Sequence, residues 1–130
     1  MNKKKVFLHL QKAIQYYNQK QYKNAELLYE NILQQINFVF PEIYIGYGNT
    51  LLKLQKYEKS IKNFKKSLEL KKDLHESYFG LAIAYEKCTK YNKSIEFYKK
   101  TIRVNKSFMP AYNNLANLYQ NLFQYKKAHK

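Results

Sequence analysis

Cys88 is the only cysteine of the chain, and His9, His75 and His129 are its only histidines. A lone thiol can form neither an intramolecular disulfide nor a multi-cysteine zinc site, so a reducing compartment is expected and Cys88 reads as a small apolar filler. The histidines sit far apart, in no His-Glu-x-x-His arrangement and no Cys/His cluster with metal spacing, and each reads as a surface or packing residue. Asp73 is the one aspartate among nine acidic residues. These carboxylates are scattered where helices would face water, and no pair is expected in the apolar pocket that acid–base catalysis needs. Gly46 and Gly48 fall inside an expected helix, so they are no phosphate loop between a strand and a helix. The reactive residues therefore predict a non-enzyme with no cofactor and no metal.

The charge is one-sided, +15 overall, yet Arg103 is the only arginine among 24 basic residues. A surface that grips phosphate is expected to hold more arginine, whose planar fork pairs bidentately with it. The lysines instead recur in rows: Lys53 with Lys87, Lys56 with Lys90, Lys59 with Lys93 and Lys127, and Lys65-Lys66 with Lys99-Lys100. Most belong to the second helix of a pair or the turn before it, and read as a solvated face. Binding of RNA or another polyanion along these rows is the alternative, with nucleic acid disfavoured. The start, Met1-Asn2-Lys3-Lys4-Lys5, is basic like the front of a signal peptide, but the apolar run Val6-Phe7-Leu8 is too short to complete one. No stretch has the length of a membrane span, so a soluble, cytoplasmic protein is expected.

What must position any site is a repeat. Displacing the sequence by 34 residues lays Tyr57 on Tyr91 and Tyr125, Tyr44 on Tyr78 and Tyr112, and Gly48 on Ala82 and Ala116. A period of this size marks an array of one supersecondary unit, which cannot bury its apolar face without stacking on copies of itself. Apolar residues three and four apart define the helices: Val6, Leu10, Ala13, Ile14 and Tyr17 on the first, then Tyr22, Ala25, Leu28, Tyr29, Ile32, Leu33 and Ile36 on the second. After Asn37-Phe38-Val39-Phe40, Pro41 suits the opening turn of a third helix. The same pattern continues through residue 108, and Pro110 marks a seventh helix running to Leu122. Gln124 to Lys130 is expected to begin an eighth helix and stop after about two turns. The expectation is an all-α solenoid filling residues 1–130, with units at about 6–40, 41–74, 75–108 and an incomplete one at 109–130.

The chain resembles the tetratricopeptide repeat family, whose units are two antiparallel helices, A and B, stacked into a right-handed superhelix. The resemblance is carried by Tyr44, Tyr47, Gly48 and Leu51 with Tyr57, Ser60, Phe64 and Ser67, then by Tyr78, Leu81, Ala82 and Tyr85 with Tyr91, Ser94, Tyr98 and Thr101. A small residue at Gly48, Ala82 or Ala116 lets helix A approach helix B. The family's proline near the end of helix B is replaced by Lys72 and Lys106, and the first unit is one residue longer. The last unit, Tyr112-Asn113-Asn114-Leu115-Ala116-Asn117, is similar to repeats of O-linked N-acetylglucosamine transferase. Gly46 and Gly80 stand where that enzyme's asparagine ladder would need asparagine.

The resemblance implies that A helices line a concave groove, with three positions per unit pointing into it. These are Leu10, Ile14 and Tyr17, then Ile45, Asn49 and Leu52, then Phe79, Ile83 and Glu86, and last Asn113, Asn117 and Gln120. Seven apolar side chains among them predict a non-catalytic scaffold that holds a peptide or helix of a protein partner. Some family members hold a chaperone's C-terminal carboxylates with lysine, asparagine and arginine. Here the corresponding places are Ile45, Asn49, Gly80, Pro110 and Asn114, of which only Asn49 matches, so no such clamp is expected. Helix seven would offer Leu115, Leu118, Tyr119 and Leu122 to a barely begun helix eight. From this the chain is also read as the recruiting array of a longer protein or enzyme, or as self-associating through that end.

Overall fold

The computed structural model describes residues 1–37 and 40–129, among which there are seven helices and no strand. They are α1 (Lys3–Asn18), α2 (Tyr22–Gln35), α3 (Pro41–Lys53), α4 (Tyr57–Leu70), α5 (His75–Lys87), α6 (Tyr91–Val104) and α7 (Met109–Ala128). Phe38 and Val39, part of the aromatic stretch before Pro41, lie outside the described residues. Asn2 caps α1, its side chain accepting from the Lys5 amide at 2.8 Å, and Pro41 occupies the first turn of α3, where a missing N–H costs nothing.

The turn inside each pair is one device used three times. Lys20, Gln55 and Thr89 take the left-handed conformation with φ of 60–62°. The next amide then reaches back to a carbonyl of the helix just ended: Gln21 N to Tyr16 O at 2.8 Å, Lys56 N to Leu51 O at 2.9 Å and Lys90 N to Tyr85 O at 2.9 Å. This closes the last helical carbonyls and reverses the chain. Among the described residues the expected eighth helix is absent. Residue 123 is the fourth place in this series, and there α7 runs on unbroken to Ala128. Phe123 stands at the turn place, and its backbone stays helical.

The core is a string of clusters at the junctions between units, as nearest-neighbour stacking requires. Val6, Leu10, Ala13, Ala25, Tyr29, Ile32, Ile43, Tyr47 and Leu51 join α1, α2 and α3. Phe64 with Leu81 and Tyr85 joins α4 to α5, and Ala82, Tyr98, Ala111 and Leu118 join α5, α6 and α7. Hydroxyls lock helix B to helix A in the second and third pairs: Ser60 donates to the Gly48 carbonyl at 2.8 Å, and Ser94 to the Ala82 carbonyl at 2.7 Å. The small residue and the serine thus act together, one allowing close approach and the other using it.

One carboxylate departs from the expectation that all face water. Glu26 on α2 is only 2% exposed and takes the place that Ile61 and Ile95 hold in the next units. Its Oε2 lies 2.6 Å from the Lys56 ammonium and its Oε1 3.2 Å from that of Lys23. Burial pushes its pKa up, but the bonds to Lys56 and Lys23 outweigh this and hold it below the ordinary carboxylate value. The buried charge is tolerable because Lys56, at the start of α4, reaches across the junction to meet it.

Candidate functional site

A cleft of about 590 Å³ opens between α1, α3, α5 and the loop before α7. Leu52 on α3, Phe79 and Ile83 on α5, Phe108 in the loop and Tyr17 on α1 line it, with Asn49, Lys53, Gln55, Tyr57, Glu76 and Lys87 around them. Phe79 and Ile83 are four residues apart and so share one face of α5. The Phe79 ring is braced by Phe108 edge-on at 5.0 Å and by Tyr98 at 6.1 Å, and Phe108 in turn meets the His75 ring at 4.9 Å. Such contacts hold an apolar surface in place before anything binds, which lowers the ordering cost of binding.

Charge frames this surface. Lys53 and Lys87 are the last residues of α3 and α5, where a cation suits the carbonyl end of a helix. Glu76 is in the first turn of α5, its Oε1 3.1 Å from Nδ1 of His75. A smaller pocket of about 200 Å³, lined by Ile14, Tyr17, Tyr29, Gly46 and Asn49, continues the cleft toward α1 through the shared Tyr17 and Asn49. A Cβ on Gly46 would overlap the Tyr29 hydroxyl, so glycine keeps that pocket's floor low. Burial and the nearby Tyr17 push the Tyr29 pKa up to about 12, and the hydroxyl is neutral at physiological pH.

Of the twelve residues read as groove positions, the structure brings Tyr17, Asn49, Leu52, Phe79 and Ile83 together in the cleft, with Ile14 in its extension. Ile45 is half-buried and packs beside Leu52 on the Phe64 cluster. Leu10 is withdrawn into the core at 9% exposure, because it shares a helical stripe with Val6 and Ala13. Glu86 is half-buried and accepts from the Tyr98 hydroxyl at 2.7 Å. Burial, with help from that carboxylate, drives the Tyr98 pKa far above the tyrosine range and keeps it a donor. Asn113, Asn117 and Gln120 are exposed on α7 and do not line the cleft.

Phe108 escaped the reading by helix position because it lies just outside a helix, yet the period marks it: Phe40, Leu74 and Phe108 each precede an A helix at 34-residue spacing. Lys53 and Lys87 stand at the cleft, apart from the lysine rows with which they were read. Among the described residues, no three of His, Cys, Asp or Glu are grouped as a metal site, and no helix is long and apolar enough to cross a membrane.

Comparison with known proteins gives one consistent result. Family models match residues 48–87 as a TPR repeat, and residues 75–108 and 111–130 each as a tetratricopeptide repeat. No curated protein matches the chain. Among solved structures, the first TPR of Spaghetti (RPAP3) bound to the HSP90 peptide SRMEEVD is similar with a TM-score of 0.85 at 16% identity, covering 94% of this chain and 96% of that one. The Sgt2 TPR domain from Aspergillus fumigatus is similar with a TM-score of 0.85 at 14% identity, covering 97% and 84%. MamA from Desulfovibrio magneticus RS-1 is similar with a TM-score of 0.82 at 18% identity, covering 95% and 70%. These identities speak for the fold, and the family matches speak for the repeat. The chain is an all-α helical repeat solenoid that carries tetratricopeptide repeats over residues 48–108 and 111–130.

Proposed function

We propose that the chain is a non-catalytic interaction scaffold that holds a peptide or a helix of a protein partner in the cleft between α1, α3 and α5. The observation that carries this reading is the braced apolar surface of Leu52, Phe79, Ile83 and Phe108 framed by Lys53, Lys87, Glu76 and Asn49. An apolar floor supplies affinity and a few polar groups at its edge set register, which is how clefts of this size hold extended or helical segments. One solved relative holds a chaperone peptide. Carboxylate capture is not what this cleft is built for, since Ile45, Pro110 and Asn114 stand where the family's lysine and arginine donors would. The test is affinity for peptides selected from a random display library. Phe79→Ala and Ile83→Ala weaken such peptides at least tenfold with the helical circular dichroism unchanged; unchanged affinity refutes the assignment.

A cytoplasmic setting suits the single free thiol. A second role, as the recruiting array of a longer protein or a self-associating end, is favoured by the outer face of α7. Met109, Tyr112, Tyr119 and Phe123 are 38 to 67% exposed there. Extending the chain with a helix that covers this face should raise the melting temperature, and no gain would remove the reading. A likeness of the last unit to the O-linked N-acetylglucosamine transferase array would rest on residues 112–117 alone.

A further inference from the structure

The lysine rows are not equivalent. From the N-cap of α4 onward, Lys56, Lys59, Lys62 and Lys66 follow at steps of three, three and four, which makes one stripe. All four line a second cleft of about 800 Å³, whose walls also include Leu33, Tyr47 and Tyr57. The same places on α2 are Gln21, Asn24, Leu27 and Asn31, without a charge, and on α6 they are Lys90, Lys93, Glu96 and Lys100. There the acid interrupts the stripe and pairs with Lys100 at 3.6 Å. Only α4 presents an unbroken row of four.

Its counter-charges do not satisfy it. Glu26 engages Lys56 from below, Glu30 acts on Lys59 at longer range, and Glu58 lines the cleft. Among the described residues neither Lys62 nor Lys66 has a carboxylate within ion-pair distance. We infer that this cleft on α4, which meets the apolar one at Gln55 and Tyr57, is a second binding surface, and that its ligand is an acidic peptide segment.

Three features favour carboxylates over a nucleic acid. The row is lysine throughout and Arg103 lies elsewhere, on α6, so the bidentate fork for phosphate is missing. Single strands bind by stacking bases on aromatic faces. Of the two rings lining the cleft, Tyr47 is buried and covered by the Lys59 ammonium at 5.5 Å, which leaves Tyr57 alone and no run of faces for successive bases. Finally, ammonium groups one helical turn apart match the spacing of carboxylates on a short acidic segment and need no regular backbone.

The probe is a fluorescein-labelled hexaglutamate peptide, followed by anisotropy at low salt against the whole chain. Wild-type protein binds it, and raising the salt weakens binding because the contact is electrostatic. Lys62→Gln with Lys66→Gln weakens it at least tenfold, while the control pair Lys99→Gln with Lys106→Gln, which removes the same charge, changes it less than twofold. Equal loss from both pairs would show diffuse attraction to a basic protein and overturn the site. So would absent binding, or tighter binding of a thymidine oligonucleotide of equal charge.

Discussion

Phe64 is the point where two successive units are most tightly joined, and Gly80 is the residue that permits it. The ring has no exposed surface and lies between two glycines, Gly48 of its own pair and Gly80 of the next. A methyl group at Gly80 would lie 2.5 Å from Cε1 and Cε2 of Phe64 and nearer still to Cζ. Carbon atoms rest at about 3.5–4.0 Å, so the ring would have to withdraw by roughly 1 Å or more into a closed core. Overpacking of this kind costs about 1–3 kcal/mol, against about 1 kcal/mol that alanine returns in helix propensity. Gly80→Ala alone is therefore expected to be neutral or destabilising by up to about 2 kcal/mol. Phe64→Leu alone should cost about 1–2 kcal/mol through lost contact. In the Phe64→Leu background the clash is gone, and Gly80→Ala should stabilise by about 1 kcal/mol. Urea unfolding of all four proteins, followed by helical circular dichroism at constant m-value, yields a coupling of about 1–3 kcal/mol. The reasoning is refuted if Gly80→Ala is equally stabilising with either residue at 64.

Three further outcomes follow from other elements. Glu26→Ile, which restores the residue of the other units, should equal or exceed wild-type stability, whereas Glu26→Gln should lose about 1–3 kcal/mol near neutral pH. Because the folded-state pKa of Glu26 is lowered, its contribution is complete above the ordinary value of 4.5 and is lost as pH falls through the lowered value. The gap between wild type and Glu26→Gln should thus close in acid, and a gap that is constant with pH would contradict the pairing. Thr89→Gly relieves a β-branched residue at φ 60° and should stabilise by about 1 kcal/mol in thermal melts; a loss would mean that the Thr89 side chain is needed at the turn. Hydrogen exchange should find amides after Leu122, where α7 buries no side chain, far less protected than those of α3 to α6. Uniform protection in a monomeric sample would show that α7 is covered.

The fold was legible because a period is a property of the sequence itself. Tyr57, Tyr91 and Tyr125, or Gly48, Ala82 and Ala116, name the unit without any knowledge of its packing. The site was legible only in part, since the period fixes where a residue falls along a helix but not how deep it sits. Leu10 and Ile14 are one turn apart on α1, yet one is core and the other 51% exposed, because α2 covers the first and leaves the second open. Phe108 needed the loop conformation before it could be seen as the brace of Phe79. Glu26 read as a surface charge because its partner Lys56 is 30 residues away and meets it only when two units stack. The unbroken α7 shows the opposite limit: sequence register placed Tyr125 and Ala128 in a new helix, but register marks where a turn could fall and not whether the chain takes it, and the backbone at Phe123 stays helical.

The most direct test of the cleft is nuclear magnetic resonance of isotope-labelled protein titrated with a display-selected peptide. The account predicts that shift changes concentrate at Tyr17, Asn49, Leu52, Phe79, Ile83 and Phe108, and that Phe79→Ala with Ile83→Ala abolishes them. Shift changes confined to the outer face of α7 or to the lysine stripe of α4, with those residues unmoved, would contradict it.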